Sequence, residues 1–142
     1  MTERSGPRTP CALPNTPLAA ELPVDRTRVY LLGHSLGAAA AWNVARQRPD
    51  LVAAIACISG ACGGVPAPAP PRVPPLLSVV GELDPIAQPA RVEALVAEAR
   101  AAGRAVEFRL VPGYGHTLVV GAVLPDVIDW LLRQPSLRLP PN

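Results

Sequence analysis

Three residues far apart in the chain have the types needed to activate a hydroxyl: Ser35, Asp84 and His116. Ser35 sits in Gly33-His34-Ser35-Leu36-Gly37, a G-x-S-x-G pattern. That spacing belongs to a tight strand-to-helix turn, in which small residues on either side let the backbone close up and lift the serine hydroxyl above a sheet. The helix behind such a turn points its N-terminus at the site, which suits a developing negative charge. A serine hydroxyl is a poor nucleophile until a base takes its proton. The chain has two histidines. His34 occupies the free position of the motif and is expected to shape the turn, so His116 is the candidate base. The base in turn needs an acceptor that fixes its tautomer and stabilises its charged form. Asp84, in Gly81-Glu82-Leu83-Asp84-Pro85, is the candidate, with Glu82 as runner-up. Asp126 and Asp129 follow the histidine on a helix and are expected to be surface charges. The chemistry implied is acyl transfer to water. The plainer alternatives are an ordinary strand–turn–helix connection, a solvated loop histidine and a turn-capping aspartate.

The elements that must position these residues are legible in the apolar pattern. Arg28–Gly33 reads as a buried strand, Leu36–Arg48 as an alanine-rich helix and Val52–Ser59 as a second buried strand. Residues 60–75 are rich in glycine and proline and predict a loop. A third strand is expected at Leu76–Gly81 and a helix at Pro89–Ala102, closed by Gly103. Val106–Val111 predicts a fourth strand near a sheet edge, because Glu107 and Arg109 alternate with apolar residues. Pro125–Arg133 predicts a closing helix. Strands alternating with helices imply an α/β fold, a parallel sheet of about four strands with right-handed crossovers. Each of the three candidate residues then follows a strand at its carboxyl end, the edge where ligands bind in open α/β sheets. Residues 1–15 read as an irregular lead-in, 16–134 as one domain and 135–142 as a tail; Thr16-Pro17 looks like the start of a short helix stopped by Pro23.

Composition excludes several functions. A net charge of +2 spread over scattered arginines gives no basic stripe for nucleic acid and no polybasic segment for a membrane surface. No apolar run follows the N-terminus as a signal peptide would, and no stretch approaches the length of a membrane span, so the cytoplasm is the expected compartment. A longer parent could be secreted. Three cysteines without zinc-like spacing argue against a disulfide framework or metal knuckle. Cys57 is expected to be a small apolar residue in a strand; a bridge to Cys62 is the alternative. No metal or organic cofactor is called for.

The chain resembles the α/β-hydrolase superfamily over residues 16–134. The matching stretches are Val29–Gly37, Val80-Gly81-Glu82-Leu83-Asp84-Pro85-Ile86 and Val111-Pro112-Gly113-Tyr114-Gly115-His116. The order Ser…Asp…His is that of the fold. Asp25–Tyr30 resembles polyester depolymerases, feruloyl esterases and the catalytic domain of prolyl-oligopeptidase-like enzymes. The resemblance implies a serine hydrolase acting on small carboxylic esters through an acyl-enzyme, or a peptidase of the prolyl-oligopeptidase type. It assigns one oxyanion donor, the backbone N–H of Leu36. The short link between the second and third strands disfavours lidded lipases.

A complete member has about eight strands, of which these four correspond to the last four. The absent part would carry the second oxyanion donor, worth on the order of 10²–10³ in rate, and half of the substrate pocket. The strand leading to Ser35 should then be an exposed apolar edge, prone to pair with another chain, so self-association is expected. A catalytically silent truncated remnant and a non-enzymatic module that binds by strand addition are the competing readings.

Overall fold

A computed structural model describes residues 22–64 and 72–138. The short helix expected near Thr16, the lead-in and Cys11 lie outside the described residues. Four strands, β1 (Tyr30–His34), β2 (Ala54–Ile58), β3 (Leu76–Gly81) and β4 (Val106–Val111), form one parallel sheet in sequential order. Between and after them run three helices, α1 (Leu36–Gln47), α2 (Pro89–Ala101) and α3 (Leu118–Leu132). The registers Leu31↔Ile55, Cys57↔Ser78 and Val80↔Leu110 bring the carboxyl ends of all four strands to one rim.

The central strands are buried along their whole length, as continuous apolar runs in parallel sheets must be. Alternation splits them between two cores. Ala54, Ala56 and Ile58 of β2 join Leu77 and Val79 of β3 against Val119, Val127, Trp130 and Leu131 of α3. Ile55 and Cys57 face the other way and pack with Leu76 on Ala38, Trp42 and Ala45 of α1. β4 lies at an edge, as its charged alternation implies.

Two expectations need correction. The closing helix starts at Leu118, not at Pro125, and carries Pro125 in its interior. Its buried residues Val119, Val127, Trp130 and Leu131 keep one helical face on both sides of the proline, so packing on the sheet outweighs the backbone bond that proline removes. Cys57 is buried, but it is not a free apolar cysteine: it is bridged to Cys62. The bridge ties the end of β2 to the loop that follows, and both sulfurs lie against the Ala38 carbonyl in α1.

Candidate active site

The turn after β1 holds Ser35 at φ 55 and ψ −120, a region that L-residues rarely adopt. Such a conformation costs on the order of 1–3 kcal/mol and persists only where the surroundings enforce it. Here the Ser35 N–H donates to the Ile58 carbonyl at 2.9 Å, and its own carbonyl accepts from Ala38 at 3.1 Å as α1 begins. Gly33 is required by space: a Cβ there would run into the Gly37 carbonyl. Gly37 is not, because a Cβ on it would meet nothing within 4 Å. The steric demand of the motif therefore falls on its first glycine in this chain, against the expectation that both are needed.

The loops after β3 and β4 are built against each other. Glu82 N–H donates to the Val111 carbonyl and Leu83 N–H to that of Tyr114, each at 2.9 Å. Gly81 makes this approach feasible, since any side chain would strike the Tyr114 carbonyl. Glu82, the runner-up acid, is exposed and accepts from the Gly113 N–H at 3.0 Å, so it braces the histidine loop and leaves the imidazole to Asp84.

His116 lies between the two other candidates. Its Nδ1–H is shared by the Asp84 carboxylate oxygens at 2.9 and 3.0 Å, and the Ser35 hydroxyl donates to its Nε2 at 2.9 Å. A carboxylate only accepts, so this pairing fixes the tautomer that leaves Nε2 free to take a proton. Asp84 is 3 % exposed. Burial pushes its carboxyl up, but the Ala87 amide, the Ser59 hydroxyl, His116 and the Ile86 amide together hold it below its ordinary value. The Ala87 and Ile86 amides each donate to Oδ1 at 2.9 Å. The Ser59 hydroxyl is buried without a hydrogen bond of good geometry, so the two backbone amides and His116 carry most of this effect. Asp84 thus caps its own turn and holds the imidazole at once.

Sequence reasoning missed a second tie on this loop. The His34 ring donates through Nε2 to the His116 carbonyl at 2.8 Å, with the two rings 4.9 Å apart. The free position of the motif therefore anchors the loop that bears His116. Leu36 opens α1, so its N–H has no partner within the helix. Beside Ser35 lies a cleft of about 200 Å³, walled by Ser59, Ile86, Arg91, Val92 and Leu95 among others. Leu36, Leu83, Ile86 and Leu118, neighbours in sequence of the three candidates, are all more than 60 % exposed and give the rim an apolar character. Among the described residues no group of histidine, cysteine, aspartate and glutamate is arranged to hold a metal ion.

No protein-family model matches the chain. In sequence it is 38% identical over 64 residues to NocK of Nocardia uniformis subsp. tsuyamanensis, a protein with an esterase name; the match covers 44% of this chain and 19% of that protein. In structure it is similar to SOBER1 of Arabidopsis thaliana, with a TM-score of 0.64 and 24% identity over 78% of this chain and 54% of that one. A thermostable esterase gives a TM-score of 0.68 at 24% identity, over 83% of this chain and 34% of that one. An S-formylglutathione hydrolase from Agrobacterium tumefaciens gives 0.67 at 14% identity, over 83% and 53%. The chain thus spans about half or less of the length of these proteins. Its sequential parallel sheet, flanking helices and structural neighbours together identify the chain as part of an α/β-hydrolase fold.

Proposed function

We propose that this chain carries the nucleophilic machinery of a serine hydrolase acting on carboxylic esters. The observation that supports it most is the unbroken relay from the Ser35 hydroxyl through His116 to Asp84, with both links at 2.9 Å. In this reading Ser35 Oγ attacks the ester carbonyl carbon while its proton passes to His116 Nε2. The carbonyl electron pair moves onto oxygen, where the Leu36 N–H donates to it. Collapse of the adduct breaks the bond to the alcohol, which leaves with the proton from His116. Water then repeats the sequence on the acyl-serine and releases the acid. Asp84 stays ionised throughout and holds the imidazolium. The esterase names borne by NocK and by the thermostable structural neighbour favour esters over amides as the substrate class.

In a second reading the relay is inherited geometry without a working pocket, and the chain is catalytically silent. Labelling with a fluorophosphonate probe separates the two. Labelling of the wild type that disappears in Ser35→Ala supports the hydrolase. A folded protein that never labels supports the silent reading.

We also propose that the chain associates through β1. This strand is paired on one side alone among the described residues, and an open apolar edge is a template for another chain. A monomer in sizing chromatography at all concentrations, with a cooperative melt, would remove this part of the proposal.

A further inference from the structure

Among the described residues the cleft beside Ser35 has one cationic side chain in its wall, and no acidic side chain pairs with it. Arg91 lines the cleft together with Ser35, Ile86, Val92 and Leu95. Three described arginines close on carboxylates, Arg28 on Asp25, Arg48 on Asp50 and Arg109 on Glu107; Arg91, exposed at the cleft wall, is one of those that do not. Arg91 has no ion pair among the described residues. Its own helix offers none, because the positions three and four residues away are Gln88, Ala94, Ala87 and Leu95. The remaining walls offer none either, since no described residue lining the cleft is acidic. Arg91 also sits in the first turn of α2, where the helix dipole disfavours a cation and no acidic residue offsets it. The guanidinium is therefore the one charged group among the described residues in the wall of a largely apolar cleft that also holds the nucleophile.

We propose that Arg91 is a specificity-determining residue that binds a carboxylate on the substrate, so that the preferred esters are acidic ones. That the ligand is an ester rests on the hydrolase reading; the anion site does not. A single guanidinium matches a carboxylate in charge and presents its paired N–H groups in the fork that a carboxylate accepts. The apolar walls of Ile86, Val92 and Leu95 suit the short hydrocarbon chain between that carboxylate and the reacting carbonyl.

Two ester pairs test it, one for each side of the scissile bond. The acyl arm compares the 4-nitrophenyl monoester of glutarate with 4-nitrophenyl pentanoate; the alcohol arm compares 4-acetoxybenzoate with phenyl acetate. The wild type should favour the charged member in one arm. Arg91→Ala should lower that preference by about 10-fold, the size expected of a hydrogen bond to a charged group, chiefly through KM. Arg91→Lys should recover part of it. In parallel, glutarate binding to Ser35→Ala is measured by calorimetry, with and without Arg91→Ala, and needs no catalysis. Hydrolysis whose charge preference ignores Arg91 overturns the anion site and leaves the hydrolase reading standing. Arg91-dependent glutarate binding without any hydrolysis upholds the anion site and overturns the hydrolase reading. Neither binding nor hydrolysis overturns both.

Discussion

β1 and β4 both lie at an edge of the sheet, yet they are finished in different ways. β4 alternates charge with apolar residues. Glu107 takes an ion pair from Arg109 at 2.6 Å and accepts the Trp130 indole N–H at 2.7 Å, which fastens the strand to α3. This is how natural sheets terminate, with charge along the open backbone. β1 reads Tyr-Leu-Leu-Gly-His, with no acid or base stronger than the terminal histidine. Its composition is that of a strand meant to have neighbours on both sides. The contrast extends to the site. Asp84 and His116 stand on the β3–β4 side, where two loops brace each other. Ser35 stands on the β1 side and meets them through its hydroxyl and through His34. The three candidate residues are therefore brought together across a half whose edge is finished with charge and a half whose edge is left apolar.

The largest effect expected on the finished half is Asp84→Asn. The amide oxygen can still accept from Ile86 and Ala87, so the turn survives and the melting temperature should move little. The imidazole would lose its acceptor and be free to take the wrong tautomer, and turnover of an activated ester should fall by about 10⁴-fold. Equal activity in wild type and variant would show that the relay is not used. Next in size is a pair of glycine substitutions. Gly81→Ala forces a methyl group into the Tyr114 carbonyl and should cost about 1–3 kcal/mol in denaturant melts. Gly37→Ala meets open space in a helix and should be neutral or stabilising by up to about 1 kcal/mol. If both destabilise alike, the two halves of the site are equally closed and the contrast fails.

Acid should act on the finished half as well. Burial raises the Glu107 carboxyl, but Arg109 and Trp130 outweigh it and hold the group below its ordinary value of 4.5. Asp84 is held below 3.8 in the same direction. A lowered carboxylate contributes stability that is present above its unfolded value and is lost as pH falls through its folded value. The stability these two carboxylates supply should therefore be flat above about pH 5 and decline from the ordinary carboxylate range downward. Glu107→Gln should shallow that decline in thermal melts taken along a pH series. An unchanged slope would remove Glu107 as the fastening of β4.

The three candidate residues were readable because each follows an apolar run that is plainly a strand, and a parallel sheet must deliver the ends of such strands to one rim. The edge position of β4 followed from the alternation of Glu107 and Arg109 with apolar residues. What was not readable depends on approach between segments distant in sequence. The start of α3 was hidden because Pro125 looks like a boundary, while the residues that hold the helix down lie on both sides of it. The Cys57–Cys62 bridge depends on how the loop after β2 folds back, which a count of cysteines does not disclose. His34 looked like a free position because its partner is the backbone of His116, a carbonyl that every residue possesses. Arg91 was one of many arginines until α2 brought it beside Ser35. Its signal was present only as a lack of acidic residues at helical spacing.

The smallest effect on folding, and the most direct probe of the two edges, comes from placing one charge on each. Leu32 in β1 is 41% exposed and Leu110 in β4 is 47% exposed, so the two sites are matched in burial. Lysine at either should change stability by no more than about 0.5 kcal/mol, as exposed substitutions usually do. Their effects on association should differ. A lysine on an open edge repels a second strand laid against it. Leu32→Lys should therefore shift the protein toward monomer in light scattering across a concentration series, whereas Leu110→Lys should leave the distribution as it was, because β4 already carries charge. If the two variants behave alike, the apolar edge of β1 is not where chains meet, and the difference between the edges has no consequence for assembly. If Leu32→Lys alone dissolves the assembly and also changes ester turnover, a second chain laid on β1 contributes to the site beside Ser35.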